Sequence, residues 1–320
     1  MRKSVLIFLS FVFLIQGCAT ARRSRESQKD QSAKSPLSTE SSPLVSQEVY
    51  GPSEVSPQKE LQSTGVRPIV LVLGPGFARG FAYVGVFRAL TDSKIPIGAI
   101  YGTEMGGLIG ALYAVSANMN QFEWALQKLK GELFQPSKNL LSFMRDEPNH
   151  GNDLLQQLKN IFGKKDLSQL KIPLKIAIQS QESQAVLVLD RGSLVQALRA
   201  AMAEPGRLTP SYWPQDQTGT LAVSAAVVRP FLVEEAKLSG IGPVVVIDVS
   251  DRGGSVDFYD HELQQADLVI RPNVKDVSLI DFKKKTELAY RGKEAVKKRM
   301  SDILSLVGMS DSVLKRSEDL

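Results

Sequence analysis

A glycine-flanked turn between an apolar strand and an apolar helix constrains this chain more than any other feature. The turn reads Gly102-Thr103-Glu104-Met105-Gly106. Residues 96–101 before it predict a strand, and residues 105–115 after it predict a buried helix, because both runs are apolar. A G-x-S-x-G turn of this kind lifts a nucleophilic serine clear of a sheet. In this chain a glutamate occupies the serine position, between two glycines that permit the tight turn.

A second apolar strand, residues 69–73, leads into a glycine-rich loop and then a helical stretch. The loop and the turn at Glu104 together make residues 66–301 resemble the patatin-like phospholipase family, in its bacterial branch. The resemblance implies an α/β fold, a three-layer α/β/α sandwich with a mostly parallel central sheet. It also implies descent from serine enzymes that hydrolyse acyl esters of lipids.

The glycine-rich loop departs from the family's pattern. In the family a G-G-G-x-R/K-G stretch donates backbone N–H groups to the oxyanion that forms during ester attack. The corresponding remnant here comprises Gly74, Pro75, Gly76, Phe77, Arg79 and Gly80. Proline has no N–H to donate, and we expect Phe77 not to adopt the positive φ angles that are open to glycine. The resemblance therefore predicts an impaired oxyanion hole.

The family's second catalytic residue is an aspartate in a D-G-G/A motif, which accepts the serine proton. Counting back from the strand that begins at Val244, and forward from a short hairpin at residues 218–223, places this position at Ser224. Ala225 and Ala226 follow it in place of the glycines. Because the nucleophile and the base act as a unit, loss of the nucleophile alone costs on the order of a millionfold in turnover. The pattern predicts a pseudoenzyme with no intact catalytic residue.

Other catalytic sets find little support in the sequence. Glu104 could act as a general base on water if burial raised its pKa, whereas a carboxylate at a helix start is also simply favourable with the helix dipole. The two histidines, His150 and His261, fall in polar stretches that favour exposed imidazoles. Asp190, Asp216 and Asp251 lie in loop-like surroundings that lack the motif.

A dinucleotide-binding loop is a further alternative, because Gly74-Pro75-Gly76 follows a strand and opens a helix. The spacing is not G-x-G-x-x-G, and proline removes a donor that would face the phosphate. We therefore expect no nucleotide cofactor, and we expect no metal either.

The amino terminus predicts export and lipidation. Arg2 and Lys3 precede an apolar run, residues 5–15, that is too short to span a bilayer and is typical of a signal peptide. The run ends in a segment resembling a bacterial lipobox, with Cys18 as the lipidated residue and the only cysteine in the chain. Ala19 after it implies the outer membrane, facing the periplasm.

The domain boundaries follow from composition. Residues 1–17 are expected to form the signal peptide, 18–66 the lipidated cysteine with a disordered Ser/Pro/Gln-rich tether, 67–308 the patatin-like domain, and 309–320 a tail. Residues 132–152 fit the family poorly and form either a lid or a variable surface excursion. Residues 282–306 predict one amphipathic helix with a basic face, either solvated or in contact with acidic lipid headgroups.

These features predict a protein of the bacterial cell envelope, anchored to the membrane through Cys18. Without Arg2 and Lys3 of the signal segment, 37 of the 39 basic residues remain against 34 acidic ones, and this net charge of +3 gives no argument for nucleic-acid binding. We expect an inactive pseudo-phospholipase with a lipid-binding or scaffold role, whose partners are a bound lipid or acyl chain or a protein. Two alternatives stay open: a lipid acyl hydrolase that uses Glu104, and a purely structural lipoprotein. An apolar slot beside Glu104 would favour binding or hydrolysis, whereas a slot filled by Phe77 would favour a structural role.

Overall fold

The computed structural model describes residues 65–134, 150–214, 219–250 and 258–309. The predictions for the signal peptide, Cys18, the tether up to residue 64, residues 135–149, Asp216, Asp251 and the tail from residue 310 fall outside this part of the chain.

The predicted α/β sandwich is confirmed, with one sheet and helices on both of its faces. The strands are β1 Ile69–Leu73, β2 Ile97–Thr103, β3 Leu174–Ser180, β4 Val186–Leu189, β5 Ser211–Trp213, β6 Thr220–Ser224, β7 Val244–Ile247 and β8 Leu268–Ile270. The α-helices are α1 Ala82–Asp92, α2 Met105–Ala114, α3 Met119–Gln127, α4 Asn152–Phe162, α5 Leu194–Ala201, α6 Val233–Leu238, α7 Phe258–Gln264, α8 Lys285–Lys298 and α9 Met300–Val307. Short 3₁₀ helices cover Phe77–Phe81, Gly131–Phe134, Leu167–Gln169 and Phe282–Lys284.

The central strands are parallel, in the order β3-β2-β1-β7-β8. Strands β4 and β6 both pair antiparallel with β3, and β5 pairs antiparallel with β6. Leu73 at the end of β1 is in register with Gly102 on β2 and with Ile247 on β7. The carboxyl ends of these strands therefore meet at one edge, which is where open α/β sheets place their sites.

Alternation along β1 divides the core into two layers. Ile69, Leu71 and Leu73 pack with helices α1, α2, α5, α8 and α9 on one face. Val70 and Val72 pack on the other face with residues of α6 and α7. Because successive side chains of a strand point to opposite faces, an unbroken apolar run such as β1 is typical of a strand covered on both sides.

The carboxyl-terminal helix departs from the sequence prediction. Instead of one helix over residues 282–306, a 3₁₀ turn leads into α8, and Arg299, at φ −112°, separates α8 from α9. No glycine or proline marks this break, and apolar residues on both sides of it enter the same core. Several cations of the predicted basic face form ion pairs, including Arg291 with Asp276 and Glu287, and Lys293 with Asp92.

Helices α1 and α8 cross at very short range. A Cβ atom on Gly85 of α1 would lie 1.7 Å from the carbonyl oxygen of Ala289 on α8. Only a residue without a side chain allows this approach, so Gly85 fixes how closely α8 covers the sheet.

Candidate active site

Glu104 occupies the turn between β2 and α2, at the carboxyl edge of the sheet. Its backbone has φ 54° and ψ −119°, a conformation that typically costs a non-glycine residue about 1–3 kcal/mol. A Cβ atom on Gly106 would lie 2.2 Å from the carbonyl oxygen of Leu73, and one on Gly102 would lie 2.5 Å from the backbone of Gly107. Both glycines are therefore required sterically, and the turn directs the Glu104 side chain into the interior, where it is only 1% exposed.

The Glu104 carboxylate binds the backbone of the glycine-rich loop. The N–H of Gly76 donates a hydrogen bond to Oε2 at 2.6 Å, and the N–H of Phe77 donates to the same oxygen at 3.3 Å. The resemblance to the family implies that these N–H groups would face a substrate oxyanion. The side chain at the nucleophile position thus accepts hydrogen bonds from the N–H groups that a substrate oxyanion would need.

The expectation about Phe77 is wrong. Phe77 has φ 43°, so it adopts a positive φ although it is not glycine. Its ring is 5% exposed within the core, and the Arg207 guanidinium lies 4.7 Å from the ring centroid. Burial of an aromatic ring contributes a few kcal/mol, which is enough to offset this backbone strain. Pro75 contributes no donor, as its chemistry requires, so the loop offers two N–H groups to Glu104.

The loop is held in place from several directions. Arg79 donates from Nε to the carbonyl of Val277 at 2.7 Å and from a terminal nitrogen to that of Ser250 at 2.9 Å. The hydroxyl of Tyr83 donates to the carbonyl of Gly74 at 2.6 Å. Burial, followed by the nearby carboxylates of Asp248 and Glu104, raises the pKa of Tyr83, so this hydroxyl stays a donor. A Cβ on Gly80 would contact the Met105 side chain at 2.3 Å, which ties the loop to α2.

The surroundings of Glu104 favour its neutral form. Burial raises its pKa from 4.5 to about 7, and the hydrogen bond from Gly76 opposes this rise. The charge of Glu204 raises the pKa further, whereas the backbone N–H groups of Phe77 and Met105 lower it. Within the described residues, Oε1 is buried and has no hydrogen-bond partner. Desolvation therefore outweighs the hydrogen bonds in setting the protonation state.

Glu204 is a second carboxyl of this site, and sequence reasoning gave it no role. It lies in the loop after α5, and burial raises its pKa, while Arg207 and the Ser224 hydroxyl lower it. Its Oε2 is buried without a hydrogen-bond partner among the described residues. Pro205 and Gly206 after it indicate a loop, but no local sequence pattern links that loop to Glu104.

Ser224 ends strand β6 and is 3% exposed. Its N–H donates to the carbonyl of Ala203 at 3.0 Å, and its hydroxyl accepts from the N–H of Ala226 at 3.2 Å. The position assigned to the family's aspartate thus carries a hydroxyl that interacts with Glu204. A serine hydroxyl cannot take a proton as a carboxylate does, so this position supplies no base.

Among the remaining candidates, His150 and His261 are exposed, and Asp190 pairs with the neighbouring Arg191. Within the described ranges, no group of three or more histidine, cysteine, aspartate or glutamate side chains is arranged to hold a metal ion.

Comparison with known proteins finds a family model and several relatives that match this chain. The family model described as patatin-like phospholipase matches residues 71–237, which is more than half of the chain. Patatin-like phospholipase domain-containing protein 7 of Rattus norvegicus is 29% identical over 186 residues, which are 58% of this chain and 14% of that protein. An uncharacterized NTE family protein of Mycobacterium tuberculosis is 29% identical over 189 residues, 58% of this chain and 49% of that protein.

The crystal structure of VipD from Legionella pneumophila has a TM-score of 0.48 and 12% identity, covering 74% of this chain and 67% of that chain. The chain spans about one seventh of the rat relative and about half of the mycobacterial one. By the family match and the elbow, sheet and loop around Glu104, this chain belongs to the patatin-like phospholipase family.

Proposed function

We propose that this chain is a pseudo-phospholipase, a patatin-like protein that no longer hydrolyses lipid esters and acts as a membrane-anchored scaffold. The observation that carries the proposal is the Glu104 carboxylate, which replaces the serine and accepts hydrogen bonds from Gly76 and Phe77. One side chain thus removes the nucleophile and also occupies the oxyanion donors.

Each loss has a separate cost for ester hydrolysis. Removing a serine nucleophile costs on the order of a millionfold in turnover. Withdrawing a single oxyanion donor costs about 100- to 1000-fold, and a substrate oxygen would have to displace Glu104 from two of them. Ser224 gives no carboxylate to act as base at the aspartate position. Together these losses support a chain without esterase turnover.

Burial around Glu104 supports a role exerted through the surface. Glu104 is 1% exposed and Phe77 is 5% exposed, and the Phe77 ring belongs to the core cluster. The Glu104 carboxylate and the Phe77 ring are thus both enclosed by the protein. An enclosed site favours a scaffold or structural role over a protein that stores an acyl chain beside Glu104.

The membrane anchor rests on the sequence alone. Residues 14–18 resemble a lipobox, and Cys18 would carry the acyl chains, with the outer membrane facing the periplasm as the destination. Acyl chains contribute about 0.8 kcal/mol per buried CH₂, so two or three long chains hold a protein durably to a bilayer.

Among the helices within the described ranges, none combines the length and the apolar character that crossing a bilayer requires.

A second candidate function is hydrolysis with Glu104 as general base on water. The pKa of about 7 for Glu104 favours it, because a base titrating near neutrality works efficiently at physiological pH. The buried Oε1, which has no partner among the described residues, would be the oxygen that accepts the proton.

Hydrolysis of phospholipids and short-chain esters by the full chain tests both candidates. The comparison uses wild type, Glu104→Ala, and Glu182→Ala as a matched control, since Glu182 is an exposed carboxyl in the turn after β3. We expect equal background rates in all three proteins. Turnover that survives in the Glu182 variant and disappears in the Glu104 variant would overturn the proposal and favour the second candidate.

A further inference from the structure

The loop over residues 277–282, the anchored loop, presents an exposed apolar pair at the edge of the sheet that carries the candidate site. Leu279 is 37% exposed and Ile280 is 49% exposed. The residues that bracket them, Val277 and Phe282, are 1% and 8% exposed and belong to the core. The chain thus leaves the core, exposes two adjacent aliphatic side chains and returns within six residues.

Contacts on both sides hold the anchored loop in this position. The N–H of Ala78 in the glycine-rich loop donates to the carbonyl of Leu279 at 3.0 Å. The Asp281 carboxylate accepts from the N–H of Lys283 at 3.1 Å, which caps the following 3₁₀ turn. The Phe282 ring stacks on that of Phe134 with centroids 5.4 Å apart. These contacts fix the loop, so the apolar pair stays exposed in the folded protein.

Lysines flank the apolar pair on both sides. Lys275 and Lys283 are exposed, and within the described part of the chain neither forms an ion pair or a hydrogen bond through its side chain. The nearby acidic residue Asp276 is engaged by Arg291 and Lys284, so it does not neutralise them. Asp281 is the other carboxylate nearby, so residues 275–285 carry four lysines against two aspartates. The surface therefore combines aliphatic side chains with a net positive charge.

We propose that the anchored loop docks on an anionic lipid bilayer, inserting Leu279 and Ile280 between headgroups that Lys275 and Lys283 contact. Interfacial membrane segments pair aliphatic residues with lysines, and anionic surfaces attract each lysine. Protein interfaces, in contrast, are enriched in aromatic residues and arginine and depleted of lysine. The composition of this loop favours a lipid surface over a protein partner.

Docking here would turn the candidate site toward the bilayer. Because the loop is hydrogen-bonded through Leu279 to Ala78, contact with lipid places the carboxyl edge of the sheet against the headgroups. This inference deepens the proposed function and rests on it for the membrane location. The anchored loop would be the surface, and anionic lipid the class of lipid, that orients a membrane-anchored scaffold.

An environment-sensitive fluorophore on the loop tests the inference in the full chain. Ser278→Cys in a Cys18→Ser background places the probe beside an intact apolar pair. Leu238→Cys gives a matched control, because Leu238 is an apolar residue, 80% exposed, at the end of α6 and so near the opposite edge of the sheet. Each protein is mixed with vesicles of phosphatidylcholine alone or with phosphatidylglycerol added, and quenching by brominated lipids reports insertion.

We expect a blue shift and quenching at residue 278 on the anionic vesicles, and an aqueous spectrum at residue 238. Leu279→Ser with Ile280→Ser should abolish the signal. Lys275→Gln with Lys283→Gln should weaken binding to these vesicles about 25-fold, at roughly fivefold per lysine near an anionic surface. Because the probe lies on the loop, it reports insertion at this surface whichever segment brings the protein to the vesicle.

Three results would overturn the inference. They are an aqueous probe at residue 278 in vesicle-bound protein, equal quenching at residues 278 and 238, and equal insertion into neutral and anionic vesicles. None of these would touch the proposed loss of activity, which the hydrolysis assay tests separately. Conversely, turnover that depends on Glu104 would overturn the proposed function. It would have no bearing on whether the loop inserts into the bilayer.

Discussion

Replacing Glu104 by glutamine removes the ionisable group of the candidate site and keeps the shape of the side chain. The amide oxygen can still accept from the N–H groups of Gly76 and Phe77. The amide nitrogen takes the place of Oε1, which has no hydrogen-bond partner among the described residues. The substitution therefore isolates the cost of a buried charge from the cost of a cavity.

The sign of the effect follows from the direction of the pKa shift. In the folded protein Glu104 has a pKa of about 7, against 4.5 for an unperturbed glutamate. Below about pH 4.5 the carboxyl is protonated in both states and the shift has no effect. As the pH rises toward 7, the unfolded chain loses the proton first, so the free energy of unfolding of wild type falls. Above pH 7 the full penalty is present.

At about 1.4 kcal/mol per pH unit, the gap between the two pKa values corresponds to about 3 kcal/mol. Glu104→Gln has no such penalty, so its advantage over wild type should grow by about 3 kcal/mol between pH 4.5 and pH 8. The groups around Glu104 that titrate or carry charge are Glu204, Tyr83 and Asp248, with Arg207 beside Glu204. All of them are retained in the variant.

Urea unfolding of both proteins at several pH values from 4.5 to 8 measures this difference. Glu182→Gln, which changes an exposed carboxyl, gives the background pH dependence of the chain. A difference between wild type and Glu104→Gln that stays constant over the whole range would refute the reasoning, because it would mean that burial does not raise the pKa of Glu104.

Three further predictions follow from the same contacts. Glu204→Gln should lower the pKa of Glu104, seen as a lower midpoint in a carbon-13 titration of the glutamate carboxyls; an unchanged midpoint would remove Glu204 from the site. Glu104→Ser combined with Ser224→Asp should raise ester turnover at least about 100-fold over wild type, because it supplies a nucleophile and frees two oxyanion donors. Rates equal to wild type would show that other departures suffice for inactivity. Gly85→Ala should lower the free energy of unfolding by about 3 kcal/mol in urea, since its Cβ would meet the Ala289 carbonyl at 1.7 Å; a neutral effect would contradict the close helix crossing.

Local patterns predicted most of the scaffold. The apolar run at residues 69–73 predicted β1, and the run before Glu104 predicted β2, which continues to Thr103. The helix expected from residue 105 begins there and ends at Ala114. The break at Arg299 was missed, because no residue type at that point opposes a helix and the division depends on how both segments meet the core.

The resemblance assigned positions to the candidate site, but the sequence did not give their contacts. Glu104, Ser224 and the glycine-rich loop were assigned by matching the family's motifs to the chain. The prediction that Phe77 would avoid a positive φ was wrong. The energetic penalty of a positive φ is a local property, whereas the burial that offsets this penalty comes from residues distant in the sequence. No role was assigned to Glu204 from the sequence. This residue raises the pKa of Glu104 although the two are one hundred positions apart in the chain.

By itself, the sequence determined the family, the α/β layering and the replacement of serine by glutamate, because periodicity and short motifs are properties of neighbouring residues. Only the tertiary structure decided where the Glu104 carboxylate goes. Its bonds to Gly76 and Phe77 join segments 28 and 27 residues apart, which parallel strands bring to one edge of the sheet. Hydrogen-bond geometry and desolvation act at distances of a few ångströms in space, and no spacing along the chain specifies them.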